Sequence, residues 1–492
     1  SKNKNFKLLY KKYKLIFFLF LIINIFLSIN SGIYHIQLFE ITENHLNNLF
    51  ALMNVYRFSI IYVIIFLSIF LVFYLKSKID QESKFFLLYL AVQLICLFIY
   101  ERDKAILDVH SPQIYDSIAY LFASMSSLLI FNLASHEIKK QFIKYFFFFV
   151  IFFFLIFSSF ILTELYLETL GNVKNDYLYS SSTLKPAGNH FGQPNPRVTG
   201  LSRMVLILFI LSVTIIFYKK KLNKFYLSLL IFFSFICCFN IWALQSRGSI
   251  LGLFLFSIIF LFFFKIHFLK KILILIFLFI LPIITYEQVY KENLPKIREK
   301  FKDSIIVLNQ KNNIETREWL GIEAKERSLV PNIIKRNDKN SKVEVDKNLN
   351  EYSSGRFQIW NNCFQILIQN KYWFGFGPQA DRYLITKYLK NDLHASWGNN
   401  ASNAFLYSLL SAGIFGMFFV IYIYFKSIKL LILNTFVIKD FFKSNQVLPI
   451  CFFSILSFIL LRSLFENSFL VFGIDFFLFI ISYYYLKISL KT

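Results

Sequence analysis

The chain is short of charge. Only 17% of its 492 residues are Asp, Glu, Lys or Arg, against 57% that are hydrophobic, and Phe alone occurs 65 times. That balance excludes a soluble globular protein, because soluble cores stop growing at a few hundred residues and cannot hide so much apolar surface. Cysteine is scarce as well. Cys96, Cys237, Cys238 and Cys451 fall in apolar blocks, leaving Cys363 alone in the one long polar stretch, so a disulfide framework is not expected. No Cys/His spacing marks a metal site. Also missing are an Asp-x-Asp metal motif, a glycine-rich phosphate loop and a soluble doubly wound domain, the parts of an enzyme that uses nucleotide sugars. There are no internal repeats. The lysine-rich N-terminus has no small-residue cleavage site, so it reads as a retained first helix.

What the chain does have is a series of apolar blocks of roughly 16 to 22 residues, the length a helix needs to cross about 30 Å of hydrocarbon. They predict an all-α polytopic membrane protein with about twelve transmembrane helices. The first nine are expected at Leu15–Ile29, Ser59–Leu75, Phe85–Tyr100, Tyr115–Leu133, Tyr145–Leu165, Leu201–Tyr218, Phe225–Leu244, Ser249–Phe264 and Ile272–Tyr286. The last three follow at Ala404–Phe425, Val447–Leu461 and Ser468–Leu486.

The formal charge of +24 raises the question of nucleic acid, but no nucleic-acid motif accompanies it. The lysines instead cluster in alternate loops, as at Lys76/Lys78/Lys84, Lys139/Lys140/Lys144 and Lys219/Lys220/Lys221/Lys224. Under the positive-inside rule this places both termini in the cytoplasm. Two segments then lie on the periplasmic side: residues 166–200, and a large loop, 287–402, between helices 9 and 10. The chain divides accordingly into 1–286, 287–402 and 403–492. In the large loop a helix is expected near Asn293–Leu308, followed by a polar stretch at Asn337–Asn350. Phe357, Trp360, Phe364 and Ile368 then recur at helical spacing until Gly375, Gly377 and Pro378 interrupt it.

Ionisable groups near a membrane are functional candidates by default. Arg197 and Arg203 flank the start of a span in "QPNPRVTGLSRM", where each either snorkels to the headgroups or binds an anion. Arg247 lies in the short connection "QSRGSILG", a hairpin-turn residue or, at a helix N-terminus, part of an anion site. Arg356 opens the amphipathic helix in "SSGRFQIW", a pattern that also suits a solvated surface arginine. Asp392, His394, Asn399, Asn400, Ser402 and Asn403 gather just before the tenth span; His394 is either a structural residue or a general base. Arg462, Glu466 and Asp475 punctuate the last two spans, with Arg462 and Glu466 expected to pair. Several guanidinium groups on one face suit a lipid diphosphate, whose oxygens take bidentate Arg contacts and whose charge grows as it departs.

At these residues the sequence resembles the O-antigen ligase and O-antigen polymerase superfamily of bacterial envelope glycosyltransferases. The resemblance covers about Gly192 to Gly416 and rests on four ordered pieces: "PNPRVTGLSR", "SRGSILG", "GRFQIWNNCFQILIQNKYWFGFGP" and "NASNAFLYSLLSAGIFG". It implies a GT-C-like fold and an enzyme needing neither metal nor other cofactor. The implied donor is an oligosaccharide on undecaprenyl diphosphate, and the acceptor is a glycan or a lipid-linked glycan. It also implies that Arg203 and Arg247 hold the donor diphosphate, with Arg197 and Arg356 beside them. Ligases of the family carry a His, then Asn, Ser or Gln, then nine residues and Gly-x-x-Gly. Here Asn403, Gly413 and Gly416 keep that frame while Ser402 stands where the His is expected. A serine hydroxyl is a poor base without an activating partner. His394, Asp392 or the Ser402–Asn403 pair is left to serve the acceptor, and polymerisation of repeat units is favoured over ligation to lipid A core. A flippase is the remaining class, disfavoured because transporters carry midplane charges and internal repeats.

Overall fold

The computed structural model describes, in part with small gaps, residues 62–70, 79–99, 114–133, 136–171, 198–218, 222–264, 267–296, 356–388, 401–441 and 447–490. The first expected span lies outside these residues, and the second touches only a few helical positions. The expected helix near Asn293–Leu308 is described only at Asn293 and Lys296, and the polar stretch that follows it lies outside the described residues. Among the described residues all regular secondary structure is helical, with no strand.

Ten helices fall on the expected spans from the third onward. They are α1 (Gln81–Ile99), α2 (Ile114–Leu133), α3 (His136–Gly171), α4 (Val198–Tyr218), α5 (Lys224–Ala243), α6 (Arg247–Phe263), α7 (Phe268–Tyr290), α10 (Ala404–Phe441), α11 (Val447–Ser463) and α12 (Ile474–Ser489). Between them, in the large loop, lie α8 (Arg356–Gln369) and α9 (Ala380–Tyr388). Among the described residues five helices are long and apolar enough to cross a membrane: α1, α4, α5, α7 and α10. Shorter apolar stretches lie in α2, α3, α6 and α11.

Short polar side chains start several of these helices. Asp80 accepts the Ser83 amide at 2.8 Å ahead of α1, and Asn403 accepts the Leu406 amide at 3.0 Å ahead of α10. Each satisfies a first-turn donor that has no partner within the helix. In α7, Pro282 removes a backbone donor, and π-helical turns (Ile276–Ile280 and Thr285–Lys291) flank the α-helical Leu281–Ile284 that holds it.

Packing makes α4, α11 and α12 the interior of the bundle. α11 contacts α4, α6, α10 and α12, while α3 packs on both α4 and α12. The outer helices carry large apolar side chains on their outward faces: Phe152 of α3, Phe232 of α5, Phe262 of α6 and Phe418 of α10 are all exposed. In water such a surface would drive aggregation. Around a bundle of apolar helices it is the surface that meets lipid, and the protein is a helical membrane protein.

The longest helix is broken. α10 departs from helical geometry at Ala412 (φ −132°, ψ 15°) and Gly413 (φ 63°, ψ −152°). The loop between α8 and α9 fills the break. The Phe376 and Gly377 amides donate to the Leu410 and Ser411 carbonyls at 2.8 and 2.9 Å, and the Ile414 amide donates to the Trp373 carbonyl at 3.3 Å. A Cβ on Gly413 would collide with the Trp373 carbonyl, and one on Gly375 with the backbone of Ser411 and Ala412. The Gly-x-x-Gly of the sequence is thus a place where a second backbone enters a helix.

Candidate functional site

The site is built at one end of the bundle, and the packing of three helices fixes the heights of its charges. A Cβ on Gly252 of α6 would come within 2.5 Å of Leu206 of α4 and 2.7 Å of Phe458 of α11, so these three positions share a level. From there Arg203 lies three residues along α4, Arg462 four along α11 and Arg247 five along α6. At 1.5 Å per residue these are rises of about 4.5, 6 and 7.5 Å. α4 and α6 run parallel, because Tyr218 and Phe217 at the far end of α4 meet Phe263 and Phe264 at the far end of α6. All three rises therefore point the same way.

There the charges form one cluster. Asp475, in the first turn of α12, lies between two guanidiniums: Arg203 Nη1 is 2.6 Å from Oδ1, and Arg462 Nε is 3.2 Å from Oδ2. All three side chains are nearly buried, so neither charge is screened by water. Glu466, on the turn between α11 and α12, takes Arg356 Nη2 of α8 at 3.1 Å, and this pair is more open. The sequence expectation that Arg462 and Glu466 pair is thus revised, since Arg462 meets Asp475 of the next helix and Glu466 meets Arg356 of the large loop. Among the described residues three arginines meet two carboxylates here, with the Asp381 carboxylate on the adjoining frame. Arg203 Nε is buried and makes no hydrogen bond among the described residues.

Beside this cluster runs the turn 401–403. The Ala401 amide donates to Asp381 Oδ2 at 2.9 Å, and the Ala401 carbonyl accepts Trp360 Nε1 of α8 at 2.8 Å. The Asn403 amide donates to Asn467 Oδ1 at 3.2 Å, and Asn403 Nδ2 donates to the Leu464 carbonyl at 2.9 Å. Asn467 Nδ2 closes the frame by donating to Asp381 Oδ2 at 2.9 Å. Ser402, gripped on both sides, has φ 44°, a left-handed conformation that an L side chain adopts at a cost. Asn467 is adjacent in sequence to Glu466, so the frame and the charge cluster share one turn. Behind them, burial pushes the Cys363 thiol of α8 well up, with the Asp381 carboxylate adding to the effect.

Of the expected site residues, the structure brings Arg203, Arg356, Ser402 and Asn403 to one neighbourhood. Arg247 stands exposed in the first turn of α6, at the same end of the bundle. Arg197, Asp392 and His394 lie outside the described residues. Sequence reasoning noticed Arg462, Glu466 and Asp475 but did not join them to the arginines. It missed Asp381 and Asn467 altogether, because nothing in "PQADRY" or "FENSF" distinguishes a buried hydrogen-bonding carboxylate or amide from a solvated one. Among the described residues no group of three or more His, Cys, Asp or Glu is placed to hold a metal.

Residues 232–421 match the family model described as O-antigen ligase. The match starts inside α5 and ends inside α10, so it takes in Arg247, Arg356, Asp381, the 401–403 turn and the break at Gly413. Arg203, Arg462, Glu466 and Asp475 lie outside it. No curated protein and no solved structure matches the chain.

Proposed function

From a chain that belongs, through residues 232–421, to the O-antigen ligase and polymerase superfamily, we propose a membrane glycosyltransferase that draws its donor from a polyprenyl diphosphate. The donor is an oligosaccharide on undecaprenyl diphosphate, and the acceptor is the terminal sugar of a second lipid-linked glycan. The reaction polymerises surface polysaccharide repeat units on the periplasmic face of the inner membrane.

The observation that carries this reading is the gathering of Arg203, Arg462 and Arg356 beside the Ser402 turn. An acceptor hydroxyl attacks the anomeric carbon. The bond from that carbon to the diphosphate oxygen breaks, and the diphosphate leaves with the electron pair. Its growing charge is met by Arg203 and Arg247, with Arg197 and Arg356 nearby. Guanidiniums that acidic partners already hold in place need little reorganisation at that moment. The acceptor proton passes to His394 or Asp392, while Ser402 and Asn403 orient the hydroxyl. The loop 287–402 covers the glycans and excludes water.

The description of the matched model favours a second reading, transfer of finished glycan to lipid A core. Against it stands Ser402 at the position of the ligase His. A deletion strain separates the two: loss of a polymerase leaves single repeats on the core, whereas loss of a ligase leaves polymer on the carrier lipid. Arg203→Ala and Arg247→Ala variants, expressed at normal level in that strain, should fail to restore the wild-type glycan. Full-length polymer from both would overturn the arginine roles.

A further inference from the structure

The loop between the seventh and tenth helices is expected to be soluble, yet its second half exposes large apolar side chains. α8 buries one face, with Ile359, Cys363, Ile366 and Leu367 turned inward. Its opposite face holds Phe357, Phe364 and Ile368, spaced seven and four residues apart and all exposed. The chain then continues into Trp373 and Phe374, which are 60% and 62% exposed. Large apolar side chains exposed at this density on a water-facing loop would be a heavy liability.

Two rulers give the depth of this segment. The Trp373 carbonyl bonds the Ile414 amide, ten residues into α10 from Ala404, about 15 Å along the axis. A Cβ on Gly377 would come within 2.9 Å of the Gln93 carbonyl and of Leu97, which lie six and two residues from the end of α1 at Ile99. That is about 9 and 3 Å below that end. Half a bilayer's hydrocarbon is about 15 Å thick. The flanking outward faces, Ile95 and Phe98 of α1 and Ile414, Phe415 and Phe418 of α10, belong to the surface that meets lipid. Trp373 and Phe374 lie against the α10 side of that surface, at Gly413 and Ile414. At its start, α8 is tied by Arg356 to Glu466 at the charged end of the bundle.

We propose that residues 356–379 form a re-entrant element whose outward face, Phe364, Ile368, Trp373 and Phe374, is immersed in the acyl chains of the leaflet on the charged side of the bundle. The backbone of such an element is tolerated at that depth because protein satisfies it. Here Phe376, Gly377 and Ile414 amides and the Trp373 carbonyl are paired across the break in α10. The inference rests on the bundle spanning a membrane and not on the reaction it catalyses.

Spin labels test it in the full chain, reconstituted in phosphatidylcholine vesicles. All five native cysteines are buried, so labels go selectively to Ile368→Cys and Phe374→Cys, with Asn370→Cys as a control outside the apolar stripe. At Ile368 and Phe374, collisions with dissolved oxygen should exceed those with a water-soluble nickel chelate, more so at Phe374, while Asn370 shows the reverse. Quenching of tryptophan emission by mid-chain brominated lipid should fall when Trp373 is replaced by Tyr. Nickel access at Phe374 equal to that at Asn370 would overturn the proposal. So would a label at Phe374 that neither reagent reaches, since a second copy or another part of the chain would then be the cover.

Discussion

Replacing Asp475 with Asn removes one charge while keeping shape, and it strands two guanidiniums. Arg203 and Arg462 lie 2.6 and 3.2 Å from opposite oxygens of that carboxylate, with side chains 13% and 7% exposed. Breaking a buried pair by removing one partner costs about 3–5 kcal/mol, because the remaining charge is uncompensated. At about 1.4 kcal/mol per factor of ten, that raises the unfolding constant by two to nearly four orders of magnitude. Removing either arginine is a different perturbation, because Arg203→Met or Arg462→Met leaves a neutral pair behind. Each should cost less than Asp475→Asn. Exchanging all three for Met, Met and Leu should recover most of the loss, as apolar replacements of buried ion clusters do. The five buried free cysteines make the assay direct, since a thiol-reactive dye reports unfolding in detergent without added probes. The reasoning is refuted if Asp475→Asn melts with the wild type, or if either arginine variant melts below it.

Three further outcomes follow from other parts of the structure. Arg356→Ala breaks a pair that is about a quarter exposed, so it should lower stability by less than about 1 kcal/mol while abolishing glycan polymer in the deletion strain. Ser402→Gly relieves a left-handed φ and should change melting by no more than about 1 kcal/mol; a larger loss would mean that the side chain holds the turn together. Burial alone would raise the Asp80 carboxyl, but the Ser83 amide and hydroxyl, Lys487 and Tyr484 bring it below its ordinary value. Its contribution is therefore present above the unfolded value and lost as pH falls through the lower folded one. Asp80→Asn should cost stability at pH 7 and progressively less below pH 4, which denaturation at several pH values would show.

The helices were readable from the sequence because their cause is local. A block such as Leu201–Tyr218 is apolar but for Arg203 and a few hydroxyl residues, and the structure begins that helix only three residues earlier, at Val198. Caps such as Asn403 were readable as residue types, though not as bonds. Arg203 stood out because an arginine beside a span is costly wherever it points. Its partner did not, because Asp475 is 272 residues further on and no spacing rule links the two. Asp381 and Asn467 were hidden for the same reason: their role lies in meeting the turn at Ala401 and Asn403 from two separate elements. The loop's descent was hidden by its own polarity, since α8 mixes Gln358, Asn361 and Asn362 with its aromatics and so resembles a soluble helix.

The break at Gly413 bears on how the chain enters its membrane. Carbonyls of Leu410 and Ser411 that hydrocarbon would leave unbonded, at several kcal/mol each, are bonded instead by Phe376 and Gly377, made some 35 residues earlier. α10 therefore cannot settle alone as it leaves the insertion machinery. The Trp373–Gly377 stretch must already be waiting at its side, and the two enter hydrocarbon as one hairpin.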